Sequence, residues 1–326
     1  MSRYDEHAQY DRPKRRTRPR TKDRPTYDDA VEATVLTVDR GRYSCRIGDS
    51  DQLVTAMKAR SLGRKGVIIG DRVRLDGDAS GAEGTLARIV EVLPRETLLR
   101  RSADDDDPVE RPLVANADQL VIVVAVADPE PRTRLIDRCL VAAFDAGVEP
   151  LLCLTKTDLA DPGPLMSTYR PLGVAAVATS RDGDLTAVTD RLRDRTSVLV
   201  GHSGVGKSTL VNALVPGADR ATGVVNDVTG RGRHTSTSTQ ALRLPFGGWI
   251  IDTPGIRSFG LAHVDPRQLI EAFGDLAAET RDCPRGCTHA ATEPECALDD
   301  AAAAGRIDAE RLASYRRLLA SREGHD

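Results

Sequence analysis

Residues 198–214 read VLVGHSGVGKSTLVNAL. An apolar β-like run leads into a glycine-rich turn, and Leu210, Val211 and Leu214 then follow at helical spacing. Gly201 to Ser208 fits G-x-x-x-x-G-K-[ST] without a mismatch, between a strand and a helix, which is the context that gives this pattern its meaning. Glycines let backbone N–H groups wrap phosphates, and the start of the helix adds a favourable dipole. On this reading Gly201, Ser203, Gly204, Val205, Gly206, Lys207, Ser208 and Thr209 form a phosphate-binding loop. Lys207 is expected to reach the β- and γ-phosphates, and the Ser208 hydroxyl to ligate Mg²⁺. A loop of this kind usually opens its domain, yet here it begins at residue 201 of 326.

Downstream, Asp252-Thr253-Pro254-Gly255 ends the apolar run Trp249–Ile251. A carboxylate there can hold Mg²⁺ through water, and the Gly255 N–H can face a γ-phosphate. A guanine site also needs a carboxylate that accepts from the ring N–H and the exocyclic amine. No N-K-x-D follows Gly255, but a variant precedes the loop: Thr155-Lys156-Thr157-Asp158 closes the strand-like run PLLCLT (150–155). VATSR (177–181) then stands where a backbone contact to the base belongs, with Ser180 as its candidate residue. The motif order is base, base, phosphate loop, switch I, switch II, a circular permutation of the GTPase order. Neighbouring chain ends make such reconnection feasible. The permutation also tethers whatever follows switch II to a nucleotide-sensing segment.

The rest of the chain falls around this unit. Strand–helix alternation from about residue 119 predicts a parallel α/β sheet. Before it, five short β-like segments (32–38, 42–48, 51–57, 71–77 and 84–93) are punctuated by Gly41, Gly70 and Gly81, and predict a small barrel of the OB type. The acidic stretch ADDDDPVERP (103–112) reads as the linker between them. Residues 1–28 lack apolar periodicity. Their run Arg12, Lys14, Arg15, Arg16, Arg18, Arg20, Lys22, Arg24 is either a solvated disordered basic tail or an electrostatic arm for a phosphate backbone. The expected divisions are 1–28 tail, 29–108 barrel, 109–262 GTPase domain and 263–326 helical zinc-binding domain.

Composition bounds the remaining options. The formal net charge is −3, charged residues make up 29%, and aromatics only 3%, too few for aromatic stacking platforms to carry much binding. The longest strongly apolar run, LVIVVAVA (120–127), is far too short for a bilayer and suits a strand buried on both faces. The charged N-terminus carries no secretory pattern. A cytoplasmic protein without membrane contact is expected. Cys45, Cys139 and Cys153 stand singly in apolar patterns and are expected in the core. Cys283-x₃-Cys287-x-His289-x₆-Cys296 is a cluster instead, and four soft ligands suit a closed, structural Zn²⁺ site. The helix AERLASYRRLLAS (309–321) is expected to pack against it or to present arginines to RNA.

Barrel, permuted GTPase unit and Cys/His module together resemble the ribosome small-subunit-dependent GTPase A family of bacterial assembly factors. The matching stretches are VANADQL (114–120), GHSGVGKSTLVNAL (201–214), GRGRHTST (230–237), IDTPGIRSFG (251–260) and the CxH pair at 287–289. The resemblance spans about residues 30–320. It implies an α/β circularly permuted P-loop GTPase domain, preceded by an all-β OB-fold barrel and followed by a small helical zinc-binding domain. It implies GTP hydrolysis with Mg²⁺, stimulated by the 30S ribosomal subunit, and a role in late maturation of that subunit through its rRNA. The chain is expected to act as a monomer. Ile256 follows Asp252–Gly255 and cannot orient water through its side chain. The resemblance assigns that work to His234. One of the neighbouring threonines, Thr235 or Thr237, is expected to complete the Mg²⁺ shell, Thr235 being preferred. Two departures stand out: Thr155 occupies a position where GTPases commonly carry Asn, and the cysteine gaps differ by one residue from the family pattern. The alternative class is an RNA-binding module that uses nucleotide as a structural switch with negligible turnover. A P-loop ATPase or kinase leaves Thr155–Asp158 unexplained.

Overall fold

The first five strands close on themselves: β1 (Val31–Asp39), β2 (Arg42–Ile47), β3 (Leu53–Lys58), β4 (Arg72–Asp76) and β5 (Ala87–Val92). The order is β1-β2-β3-β5-β4, with β4 returning to β1 and only the β3–β5 pair parallel. Strict alternation drives this closure. On β3, Val54 and Ala56 point into the barrel core with Val35, Cys45, Val73 and Ile89, while Leu53 and Met57 face outward. The β1–β2 hairpin turns at Arg40-Gly41, where φ is positive at both residues, as a two-residue turn matched to strand twist requires. The structure, a computed structural model, describes residues 27–322 apart from 28, 49, 51, 64–65, 103–109, 219–238, 254–258, 260 and 262–263. The basic tail at 1–28 therefore lies outside the described residues, except for Tyr27.

Between barrel and GTPase sheet lies a hairpin, β6 (Leu98–Ser102) with β7 (Glu110–Ala115). This corrects the linker expected over 103–112 at its C-terminal end, because Glu110, Arg111 and Pro112 pair with Ser102, Arg101 and Arg100. The hairpin fastens the barrel: Ala115 N–H donates to the Ile69 carbonyl (2.9 Å), and Asn116 Nδ2 donates to the Gly70 carbonyl (2.8 Å). Beside them Asp71, fully buried, accepts from Arg95 Nε (2.7 Å) and Nη2 (2.9 Å) and from the Ile68 N–H (2.8 Å). Those bonds satisfy a carboxylate that would otherwise be costly to bury.

The second sheet runs β10 (Ala175–Ala178), β9 (Glu149–Thr155), β8 (Gln119–Ala125), β11 (Thr196–Val200), β13 (Trp249–Asp252), β12 (Gln240–Arg243). Its first five strands are parallel and β12 is antiparallel to β13. Every residue of β8 is buried, so its run is apolar without a break. Leu120, Ile122 and Val124 face one layer, containing α1 (Thr133–Asp145) and the C-terminal helices. Val121, Val123 and Ala125 face the other, with α3 (Thr186–Leu192) and α4 (Lys207–Leu214). Between β9 and β10 runs α2 (Gly163–Tyr169). Among the described residues, barrel and sheet are joined by one β1–β12 pairing, Thr37 with Gln240, and the Arg46 guanidinium lies 5.3 Å from the Trp249 ring centroid. Cys45, Cys139 and Cys153 are buried as expected, and burial pushes each thiol up to about 12.

Of the C-terminal helices α5 (Pro266–Leu269), α6 (Gly274–Ala278), α7 (Ala297–Ala303) and α8 (Ala309–Arg322), α5 and α8 pack on α1, and α7 packs on α8. Phe273 meets Phe144 of α1 edge-on at 4.9 Å and Tyr315 of α8 at 5.3 Å. Arg317 Nε donates to the buried Asp137 carboxylate of α1 (3.2 Å). No helix among the described residues is long and apolar enough to cross a membrane.

Gly70 is where the barrel meets the hairpin, with φ +83°, and a Cβ there would lie 1.9 Å from the Ala115 carbonyl oxygen. Gly70→Ala combines about 1–2 kcal/mol of left-handed strain with overlap against main chain that cannot move aside cheaply. It is expected to destabilise the protein by about 3 kcal/mol, read from the urea midpoint. A midpoint equal to the parent's would show that the junction relaxes freely.

Candidate functional site

The phosphate loop leaves β11 at Gly201 and lies flat on β8: a Cβ at Gly201 would sit 2.6 Å from the Val123 carbonyl oxygen. Gly204 and Gly206 take φ of +84° and +89°, and Gly206 starts α4. Val205 is buried and pins the loop from beneath, while Ser203 and Gly204 are exposed at its tip. Lys207, Ser208 and Thr209 occupy the first turn of α4, half-buried. Lys207 Nζ is ion-paired with Asp252 Oδ1. Asp252, buried at the end of β13, reaches this place because β13 runs parallel to β11 with Asp252 opposite Leu199. Thr253 Oγ1 donates to the Leu199 carbonyl (2.7 Å) and locks that register. A lysine and a carboxylate expected on the phosphates and the magnesium thus converge at one helix N-terminus.

Thr155 ends β9, and its Oγ1 donates to the Val205 carbonyl in the phosphate loop at 2.5 Å. A Cβ on Gly206 would lie 3.7 Å from that oxygen, so the threonine sits directly beneath the loop. The link between base segment and phosphate loop that Asn commonly makes in GTPases is made here by a hydroxyl. Lys156 follows with φ +58°, and its Nζ donates to the Asp128 carbonyl. Asp158 is exposed beyond it. Thr157 N–H donates to the Thr179 carbonyl (3.4 Å), and Thr179 N–H to the Leu154 carbonyl (2.8 Å), so the Thr155–Asp158 turn and the Thr179-Ser180 turn stand side by side. Ser180 is half-buried in a tight turn closed by Gly183 N–H on its carbonyl (3.2 Å). His234, Thr235 and Gly255 lie outside the described residues.

Two contributors escape sequence reasoning. Asp128 supplies the carbonyl that holds Lys156. Arg138, on α1, donates from Nη2 to the carbonyl of Phe259 (2.9 Å), just past the 251–258 stretch. The signal for the first is present in ADPEP (127–131): a break straight after a buried strand, at the C-terminal sheet edge where α/β crevices form. Arg138 carries no comparable mark, since an arginine on an amphipathic helix ordinarily faces solvent.

The third cluster brings Cys283, Cys287, His289 and Cys296 together, with their ligand atoms within 4.8 Å of one another. His289 Nδ1 lies 3.5 Å from Cys283 Sγ, 3.5 Å from Cys287 Sγ and 3.8 Å from Cys296 Sγ. Tetrahedral zinc with ordinary Zn–S and Zn–N lengths puts such atoms about 3.6 Å apart. The donor set and its spacing fit that ion, with no position left open. Positive φ at Gly286 and His289 lets the loop fold its ligands back on one point. Burial raises the Cys283 thiol, pushes Cys287 up to about 11 and lowers His289. Of the two roles expected for α8, packing is the one observed. Arg311 forks onto Asp275, Arg316 onto Asp299 and Arg317 reaches Asp137, so these arginines are spent within the fold.

Comparison with known proteins agrees with this architecture. The RsgA GTPase family matches residues 92–262, just over half of the chain. A protein named small ribosomal subunit biogenesis GTPase RsgA from Ectopseudomonas mendocina (strain ymp) is 46% identical over 245 residues, covering 72% of this chain and 69% of its own. Its namesake from Pseudomonas fluorescens (strain SBW25) is 42% identical over 267 residues, covering 78% and 75%. Among solved structures, YjeQ from Thermotoga maritima is similar with a TM-score of 0.66 at 26% identity, over 91% of this chain and 100% of that one. YloQ, described as a circularly permuted GTPase, shares the fold with a TM-score of 0.66 at 24% identity, over 93% and 98%. The chain belongs to the RsgA GTPase family and is a circularly permuted enzyme that hydrolyses GTP.

Proposed function

We propose that this GTPase acts in biogenesis of the small ribosomal subunit. It binds the 30S subunit through rRNA, works late in maturation, and hydrolyses GTP faster when the subunit is bound. The observation that carries the reading is the shared crevice of Lys207, Asp252 and Thr155, in a chain matched over 72% of its length to a protein named for small-subunit biogenesis. Within it, Thr155, Lys156, Asp158 and Ser180 take the guanine. Gly201, Ser203, Gly204, Val205, Gly206, Lys207 and Thr209 take the phosphates, and Gly255 faces the γ-phosphate. Ser208 and Thr235, with Asp252 nearby, would hold the Mg²⁺ that accompanies GTP, which would supply charge neutralisation on the phosphates. His234 positions the attacking water. The barrel (29–108) and the basic residues 1–28 grip rRNA, the 263–326 domain holds a structural zinc, and the protein works as a cytoplasmic monomer.

The direct test measures GTP turnover of the full chain with and without purified 30S subunits. Strong stimulation is expected, and His234→Ala is expected to keep GTP and 30S binding while losing about a hundredfold of the stimulated kcat, the scale of one positioned proton-transfer or water-orienting group. Turnover indifferent to 30S would overturn the ribosomal reading. A variant within a few-fold of the parent would take His234 out of the chemistry.

Guanine selectivity is tested at Asp158. Asp158→Asn replaces an acceptor of two donors with an amide, and GTP affinity is expected to fall about a hundredfold, on the scale of lost charge-assisted hydrogen bonds. Xanthosine triphosphate should bind better than to the parent. Isothermal titration with both nucleotides decides, and unchanged GTP affinity would remove Asp158 from the base site.

Protein purified without added metal is expected to contain about one zinc per chain by elemental analysis. Cys287→Ser should lose it and melt the C-terminal helices at lower temperature, because metal binding there is folding energy. A metal-free sample with parental stability counts against the assignment.

A further inference from the structure

Tyr315, Arg316 and Arg317 follow one another on α8 and reach different surroundings. Arg317 takes the Asp137 carboxylate of α1. Arg316, with its side chain 15% exposed, turns to the Cys/His cluster. Its Nε donates to the main-chain carbonyl of His289 (3.2 Å), while Nη1 and Nη2 donate to Asp299 Oδ1 and Oδ2 (2.6 and 2.9 Å). Asp299 stands in the first turn of α7, the helix that begins directly after Cys296. One planar guanidinium therefore spans both halves of the ligand set: the loop carrying Cys283, Cys287 and His289, and the helix start carrying Cys296. A lysine cannot make that three-way fork.

Tyr315 supplies a second, independent observation. It is fully buried, its ring is fixed against Phe273, and its hydroxyl has no hydrogen-bond partner among the described residues. Buried hydroxyls without partners are rare and call for an explanation. Tyr315 shares one buried core cluster with Cys287 and Cys296, which places ligating thiolates among the acceptors within the same core.

The electrostatics agree. Three thiolates and a neutral imidazole around Zn²⁺ leave a charge of roughly −1, and Cys287, His289 and Cys296 are all buried. A buried charge is costly unless hydrogen bonds are donated toward it, and outer groups that hydrogen-bond metal ligands tune affinity.

We propose that Arg316 and Tyr315 form the outer shell of the metal site: Arg316 holds the two ligand-bearing segments in register, and the Tyr315 hydroxyl donates to a ligating thiolate. The inference rests on the zinc assignment made above. It is tested on the full-length zinc-loaded protein by competition with a chelator of known affinity, alongside cobalt substitution to read the thiolate-to-metal absorption. Arg316→Gln is expected to weaken zinc by about 10- to 100-fold and to shift the cobalt bands, with partial recovery in Arg316→Lys. Tyr315→Phe is expected to weaken zinc several-fold. The control is Arg311→Gln, which breaks a similar fork on the same helix, to Asp275, away from the cluster. It should loosen α8 yet keep zinc affinity within threefold and leave the cobalt spectrum unchanged. A parent that holds no zinc overturns both readings. A zinc-holding parent with Arg316→Gln within threefold of it overturns this one alone, as does equal loss in Arg311→Gln, which would make helix docking the cause. Unchanged affinity in Tyr315→Phe removes the hydroxyl from the shell.

Discussion

The hydroxyl of Thr155 reaches the carbonyl of Val205 across fifty residues of sequence, and the nucleotide crevice depends on that contact. In this permuted chain the Thr155–Asp158 turn and the phosphate loop belong to different halves, so nothing covalent and local keeps them in register. Two devices do it instead. The parallel ladder places β9, β8 and β11 side by side, with Thr155 and Gly201 both at C-terminal strand ends. The buried hydroxyl then ties one end to the other. A short β-branched side chain suits the task because few rotamers are open to it, and because Gly206 leaves room directly above.

Around that contact, α1 carries more than a crossover helix normally does. The loop before it offers the Asp128 carbonyl to Lys156. Arg138 then takes the Phe259 carbonyl, and its neighbour Asp137 takes Arg317 from the C-terminal helix. α1 and the loop before it therefore touch the Thr155–Asp158 turn, the chain at Phe259 and the C-terminal helix α8. The aromatic contacts from Phe144 through Phe273 to Tyr315 fill the same interface with apolar area, and the Asp137–Arg317 pair sets its orientation.

Much of this was legible from sequence, and the reasons differ by element. The five barrel strands and the apolar β8 announce themselves through alternation and through an unbroken apolar run. The phosphate loop is legible because glycine, lysine and serine at fixed spacing have few other uses. The β6–β7 hairpin was not, because LLRRS and ERPLVA carry arginine, glutamate and proline where alternation should show, and the acidic stretch between them reads as a linker. The direction of the α8 arginines was also hidden, since their carboxylate partners Asp137, Asp275 and Asp299 come from three separate elements. Thr155 shows the converse: it reads as a departure from the expected asparagine, and geometry gives it the same tie to the loop.

The pairing of Thr37 with Gln240 sets an order of events during synthesis. The five barrel strands find their closing partners among themselves, within residues 31–92, so the barrel can close once that stretch leaves the ribosome that is making it. The GTPase sheet then grows outward from β8, first through β9 and β10 on one flank, and only afterwards through β11 and β13 on the other. β12 arrives late and meets a finished barrel wall, so its long loop is closed against a template that already exists. Contacts of high sequence separation are the slow ones to form. Permutation thus places β8, β9 and β10 ahead of the phosphate loop in the chain, and the first 195 residues contain the five barrel strands and these three but not that loop.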